Sequence, residues 1–333
     1  MPDRKVEIAG LIGYGLSESG VGVIEMNIIV SGSLAYDRIM DFPGHFSDHI
    51  LPEKIHVLNV CFQVTGMKER FGGTAGNIAY ALTLMGEKPV ICATIGHDYH
   101  KYFEWLSKNG ISREHIKIID EESTAGAYIT TDLADNQITG FNPGAMKYPT
   151  SLDLYRLTPQ DTFVIVSPGN LQDMITYPRI CKELGIEYIF DPGQSLPVWD
   201  GDELVQAITG CKILICNDYE LDLIISKTGL KKEVLLGQAG AIITTLGELG
   251  SQVATPDGVE THIPVAKARK VDDPTGAGDA YRGGLISGLV QDKDLDQCAR
   301  MGSVCASFAV ECYGTQDYNF TPEEFDGRLK VCY

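Results

Sequence analysis

From residue 26 onward, short apolar runs alternate with amphipathic stretches, and that rhythm leaves few architectures open. Runs at 163–167, 188–190, 213–216 and 241–245 have strand length, and helical periodicity fills the gaps between the first three. Phe163-Val-Ile-Val166 and Ile213-Leu-Ile-Cys216 contain no polar alternation, which suits strands covered on both faces. Upstream, a strand-like run at 27–31 precedes a helix over 74–85, with Ala75, Ile78, Ala79, Leu82 and Met85 at helical spacing and a stop at Gly86. A strand at 89–93 and a helix over 98–109, ending at Gly110, continue the pattern. The expectation is an α/β fold: a mostly parallel sheet between helices, with a turn-linked hairpin at 251–255 and 260–265.

Two segments break the rhythm. Residues 37–71 hold no good helix and alternate from Ile55 to Phe71; residues 123–142 alternate as well, around an Asp135-Asn136 turn. Both read as antiparallel strands of a small sheet projecting over the main one, a lid closing about Gly72-Gly73. Its apolar face, including Val57, Val60, Phe62 and Ile129, needs cover, which a second copy could supply in a homodimer. The rest, 26–333, reads as one domain. Residues 1–25 are glycine-rich and aperiodic, and read as a disordered extension ahead of a start at Met26.

The run Asp272-Asp-Pro-Thr-Gly-Ala-Gly-Asp-Ala-Tyr-Arg-Gly-Gly284 carries the chemistry. Apolar spacing after it fits a helix, so Gly276, Ala277 and Gly278 should offer backbone N–H groups at a helix N-terminus, where anions bind. Asp279 stands beside them. Amides for a phosphate and a carboxylate for a hydroxyl proton suit phosphoryl transfer; the bland alternative is a capped helix after a glycine turn.

Four further motifs are weak singly. Gly72-Gly-Thr-Ala-Gly-Asn77 lets backbone approach a ligand, with Asn77 facing hydroxyls. Asp37, at a strand's carboxyl end in Gly32-Ser-Leu-Ala-Tyr-Asp37, can accept from a diol or form an Asx-turn. Asn217 and Glu220 share a helix face and can hold hydrated magnesium or simply cap the helix. Thr245, Gly247 and Gly250 can meet nucleotide phosphate or ribose, or form a hairpin loop.

Several classes are excluded. The net charge of −18 argues against nucleic acid and anionic membranes as partners. No Walker Gly-x4-Gly-Lys, His-Glu-x-x-His or Gly-x-Ser-x-Gly occurs. Nine cysteines without a Cys-x-x-Cys pair or secretion signal read as reduced and cytoplasmic. Cys298, Cys305 and Cys312 read as one buried helical stripe, and His97 and His100 as surface residues.

Taken in order along the chain, these motifs resemble the ribokinase-like (PfkB) carbohydrate kinases, over essentially 26–333. The resemblance implies ATP and Mg2+, with Asp279 as base, the 276–278 amides on the transferring phosphate, and Asn217 and Glu220 supporting magnesium. Arg282 would help neutralise phosphate, or be a surface arginine. A K+ ion near Asp273 and Thr275 is a further implication. Gly32-Ser-Leu-Ala-Tyr-Asp-Arg-Ile-Met-Asp-Phe-Pro-Gly44, Phe141-Asn-Pro-Gly-Ala-Met146, Asn217-Asp-Tyr-Glu-Leu-Asp-Leu223 and Gly314-Thr-Gln316 look like bacterial-type adenosine kinases. There Asp37 would hold the ribose hydroxyls, with Gly72, Gly73 and Asn77 beside it, Phe141 against the purine, and Ser33 and Gln194 near the base. One aromatic expected in the lid is replaced by Ala127. The implied activity is phosphorylation of a ribonucleoside 5′-hydroxyl, adenosine to AMP in purine salvage. A sugar kinase, a nucleoside kinase of broader base specificity, and a catalytically silent nucleoside sensor are the alternatives.

Overall fold

The computed structural model describes residues 26–51, 56–57, 59–134 and 136–333. The expected extension 1–25, and Ile55 and Asp135, lie outside the described residues. In chain order the strands and helices are β1 (Asn27–Ser31), β2 (Ala35–Asp41), β3 (Met67–Gly72), α1 (Thr74–Leu84), β4 (Pro89–Gly96), α2 (His100–Lys108), β5 (Ile116–Ile119), β6 (Ala125–Thr131), β7 (Gln137–Asn142) and β8 (Thr162–Val166). There follow α3 (Leu171–Leu184), β9 (Glu187–Phe190), α4 (Gly201–Ile208), β10 (Ile213–Asn217), α5 (Asp218–Thr228), α6 (Lys232–Leu236), β11 (Ile242–Thr245), β12 (Ser251–Ala254) and β13 (Glu260–Ile263). Helices α7 (Ala277–Val290), α8 (Leu295–Ala309) and α9 (Pro322–Cys332) close the chain.

The large sheet runs β13-β12-β11-β10-β9-β8-β1-β4-β5, parallel from β11 to β5, with β12 and β13 as the antiparallel hairpin the sequence predicts. Its continuous apolar runs feed two cores by strict alternation. Val30, Ile91, Ile165 and Ile215 pack on the side of α1 and α7, while Ile29, Val164, Phe190 and Leu214 pack on the side of α3 and α4. The order reverses between β1 and β8, and the crevice beyond the carboxyl ends of strands at such a switch point is where ligands bind. Here Ser167, just past β8, and Thr74, at the start of α1, join across it: Ser167 Oγ donates to Thr74 Oγ1 at 3.0 Å, and Thr74 Oγ1 donates to the Pro168 carbonyl at 2.7 Å.

The small sheet runs β3-β2-β6-β7. Its outer pairs are antiparallel, as expected, but the central pair, β2 with β6, is parallel. The two segments of this small sheet are joined through the main sheet rather than by a turn, so they meet in the same direction. The alternating stretch 55–71 is strand only from Met67. Val57, 66% exposed, and Val60 lie outside any strand, and Phe62 packs instead against Phe42 and Phe46, with ring centroids 5.0 Å apart in each case. Phe46 N–H donates to Asp132 Oδ2 at 3.0 Å, and Asp132 Oδ1 accepts from the Asn136 amide at 2.9 Å, so one buried carboxylate shapes the β6–β7 turn. Cys298 and Cys305 are buried on α8 as expected, while Cys312 falls past the helix end and is half-buried. No described helix is long and apolar enough to cross a membrane.

Candidate active site

Helix α7 starts at Gly276, whose φ of 79° is costly for any residue with a Cβ. Beside that turn Gly276, Gly278 and Asp279 line a cleft of about 460 Å³. Ala277 departs from expectation: its N–H donates to the Pro274 carbonyl at 3.2 Å, which closes the turn instead of facing the cleft. Asn77, from the first turn of α1, donates through Nδ2 to Asp279 Oδ2 at 2.7 Å. Burial pushes the Asp279 carboxyl up to about 6, against the pull of Arg282 and the Asn77 hydrogen bond, with Asp191 and Asp37 adding to the rise. A carboxyl with that affinity is mostly ionised at neutral pH and can still take up a proton.

Arg282 is neither a surface residue nor a free phosphate ligand. It is buried, its Nη2 donating to Asp191 Oδ1 at 2.8 Å, its Nε to Oδ2, and its Nη1 to the Gly278 carbonyl at 2.9 Å. Burial works against its charge, but Asp191 more than offsets that, so the guanidinium titrates above its ordinary value. Asp191, at the carboxyl end of β9, was not found by sequence reasoning; a lone carboxylate ending a short strand was the only signal. Both residues line the cleft.

Strands β10 and β11 bring up the next groups. Asn217 Oδ1 accepts from Glu220 N at 2.7 Å and Glu220 Oε2 accepts from Asn217 N at 2.8 Å, a full capping box. The capping reading is therefore correct, and the same two side chains also line the cleft with Gln194, Thr245 and Gly247. Burial raises the Glu220 pKa above its ordinary value. A Glu220→Gln variant keeps an acceptor for the Asn217 amide but loses the charge. It should fold normally and need several-fold more magnesium for half-maximal turnover; an unchanged magnesium titration would leave only the cap.

A second, more apolar cleft of about 700 Å³ meets the first at Thr245, Gly247 and Gly278. Gly250, Val265, Ala268, Val271 and Val310 line it, with Lys267 at its wall. A slot of that size and lining can take a flat apolar ring such as a nucleotide base. Among the described residues no three carboxylate, histidine or cysteine side chains form a direct metal cage. Glu220 and Asp218 at the shared cleft do fit hydrated magnesium, which keeps its waters and leans on phosphate oxygens. Asp273 orders its own loop: Oδ1 accepts from Thr275 N at 2.9 Å and Oδ2 from Gly314 N at 3.1 Å.

Residues of the small sheet form a row. Asp37 is the third residue of β2, within the strand rather than at the carboxyl end of β1. It is in register with Ala127 of β6, and Ala127 with Phe141 of β7. Side chains in register share a face, so the carboxylate and the aromatic ring flank the small Ala127, two strand spacings or roughly 10 Å apart. Tyr128 is on the opposite face, where its OH accepts from Arg38 at 3.1 Å. Asp37 presses on Gly72, where a Cβ would sit 2.5 Å from Asp37 Oδ2. Burial, with Asp273 as the smaller cause, pushes the Asp37 carboxyl up to about 6. Asp37 and Phe141 do not line the cleft around Asp279. Ser33 is committed locally: its Oγ accepts from Thr74 N at 3.1 Å at the start of α1, next to the Gly73 cap. Asn77 Oδ1 accepts from Thr315 Oγ1 at 2.8 Å and Gln316 Nε2 at 2.9 Å, partners that sequence reasoning did not place there.

The same fold and much of the same sequence occur elsewhere. A Burkholderia thailandensis nucleoside kinase in complex with inosine is 36% identical, with a TM-score of 0.80 over 92% of this chain and 98% of that one. The same enzyme in complex with ADP-inosine is 38% identical, with a TM-score of 0.77 over 92% and 96%. A Methanocaldococcus jannaschii nucleoside kinase is 32% identical over 267 residues, 79% of this chain and 87% of that protein. The profile of the pfkB family carbohydrate kinases matches residues 35–322. With Asp279 at the α7 N-terminus and two clefts meeting beside it, this chain belongs to that family of phosphotransferases acting on hydroxyl groups.

Proposed function

We propose that the protein transfers the γ-phosphoryl group of ATP to the 5′-hydroxyl of a purine ribonucleoside, adenosine to AMP being one such reaction. The observation that carries this reading is the lid row: a carboxylate able to accept from two ribose hydroxyls, a gap at Ala127, and Phe141 as a face for the base. A free sugar would have no use for the ring. The inosine complex of the Burkholderia relative supports a base-tolerant pocket, and hence inosine beside adenosine as a substrate.

In the proposed reaction the 5′-oxygen attacks the γ-phosphorus while the bond to the β–γ bridging oxygen breaks, giving the nucleoside 5′-monophosphate and ADP. Asp279 takes the hydroxyl proton, and the α7 N-terminal amides other than that of Ala277 face the phosphoryl oxygens as their charge redistributes. Glu220 would hold hydrated magnesium at the cleft, where the ion would supply charge neutralisation for the transferring phosphate. Arg282, already paired with Asp191, acts mainly by holding the Gly278 turn and biasing the local field. A monovalent cation would be held by loop carbonyls around Asp273 and Thr275. The setting is cytoplasmic purine salvage.

Initial rates with adenosine, inosine, ribose and fructose, each with ATP and Mg2+, test the reading. Purine nucleosides should give the highest kcat/KM. A preference for free sugars would assign a sugar kinase instead, and no nucleoside-dependent ATP consumption would leave a binding protein.

The lid should close on its ligand, and two copies should pair through it. Adenosine is expected to slow amide exchange in β2, β3, β6 and β7; equal exchange with and without it would remove the lid. Ile138 on the outer strand β7 is 43% exposed, on the face away from Asp37 and Phe141, an apolar side chain that a self-complementary contact would use. A monomer at micromolar concentration by light scattering would end the dimer alone.

A further inference from the structure

A buried string of hydrogen bonds runs from α2 to Asp279, and every donor in it points the same way. Trp105 Nε1 donates to Gln316 Oε1 at 2.8 Å. Gln316 Nε2 donates to Asn77 Oδ1 at 2.9 Å, and Asn77 Nδ2 donates to Asp279 Oδ2 at 2.7 Å. An indole N–H can only donate, so Trp105 decides which end of the Gln316 amide faces it. Gln316 in turn decides which end of the Asn77 amide faces Asp279, and Thr315 Oγ1 adds a second bond to Asn77 Oδ1 at 2.8 Å. Gln316 and Asn77 are 2% and 5% exposed, so flipping either amide would set donor against donor where water cannot compensate. Trp105 is itself held by stacking on Phe71, with centroids 5.2 Å apart and planes within 11°. Gln316 Nε2 also donates to Tyr102 OH at 2.9 Å, and Tyr102 OH donates to the Gly72 carbonyl at 2.8 Å, at the foot of the lid.

We propose that Trp105, Thr315 and Gln316 are positioning residues that lock the Asn77 amide with its N–H toward Asp279, so that the carboxylate stays ionised with one oxygen fixed and the other left for the acceptor hydroxyl. This rests on the reading of Asp279 as the base. It makes Asn77 a partner of Asp279 as much as of any ribose, because both ends of its amide are engaged. It also gives the aromatic cluster beneath the lid a task beyond packing.

Two variants test it. Trp105→Phe keeps a ring on Phe71 and removes only the N–H. Gln316→Glu can still accept from Trp105 but presents Asn77 with an acceptor, which turns the Asn77 carbonyl toward Asp279. The readout is the acid limb of kcat at saturating nucleoside and ATP. Under those conditions Asp37, which titrates near Asp279, is engaged by ligand. The other groups facing Asp279 are Arg282 of its own helix, Asp191 beyond β9, Tyr102 of α2 and Tyr318. Losing the fixed donor should raise the limb by about one pH unit. That lowers kcat roughly fivefold at pH 6 but only by about a tenth at pH 8, with nucleoside KM nearly constant. An unmoved limb, or an equal loss at every pH, would reduce the string to structural packing.

Melting curves without substrate give a second readout. The pH range over which stability falls with rising pH should extend upward by the same amount in both variants. That measurement decides the positioning role even if wild type proves not to use nucleosides, and an unextended range would overturn it.

Discussion

Asp279→Asn is expected to lower kcat by at least about 10²-fold and, at the same time, to raise the melting temperature by a few degrees at pH 7 to 8. The loss follows from chemistry: asparagine is isosteric and still accepts from Asn77, but it cannot take a proton. The gain follows from linkage. The carboxyl titrates near 6 in the folded protein and near 3.8 when unfolded, so the native state binds the proton more tightly. Its contribution to stability is therefore present below about pH 4 and is lost as pH rises through 6. By neutral pH the buried charge costs the fold roughly 3 kcal/mol, which the neutral amide avoids. The advantage of the variant should shrink toward zero as the buffer is taken from pH 7 down to 4. A variant with near-normal kcat would remove Asp279 from the role of base. One that melts no higher at pH 8 than wild type would contradict the burial-raised pKa.

Asp37→Ala is expected to raise the nucleoside KM by at least about 10²-fold and leave the ATP KM within about threefold. Two hydrogen bonds to an ionised acceptor are lost, each contributing roughly 1.5–3 kcal/mol. On wild type, 2′-deoxyadenosine should bind about tenfold or more weakly than adenosine, and on the variant that difference should vanish. Equal affinity of wild type for the two nucleosides would take the ribose away from Asp37. A side effect is expected on Asp279, whose proton affinity is raised in part by Asp37: the variant's acid limb should move down, not up.

Much of this was legible in the sequence because apolar periodicity is a direct record of burial. The runs at 163–167 and 213–216 are strands, and Asp279 stands at a helix start, as expected. What failed has physical causes. Alternation around Phe62 mimics a strand, but Phe62 is covered by a ring cluster and not by a sheet face. Periodicity carries no direction, so the parallel pairing of β2 with β6 was invisible. Asp191, and the burial of Arg282 against it, were missed for one reason: an ion pair between positions 91 residues apart leaves no local pattern. Asn217 with Glu220 was ambiguous because a cap and a cation site ask for the same residue types.

The position of β1 has a further consequence, for biogenesis. It lies in the interior of the large sheet, yet one of its neighbours, β4, follows within 70 residues, while the other, β8, pairs Asn27 with Thr162. During synthesis the β5-β4-β1 half can assemble while the remaining edge of Asn27-Ile-Ile-Val-Ser31 stays unpaired. That edge is apolar and offers free backbone groups, which makes it a template for association with other nascent chains. The interval before residues 162–166 emerge is thus one of exposure for this strand. Slow elongation through that stretch, or premature release within it, would expose the future centre of the enzyme as an adhesive border.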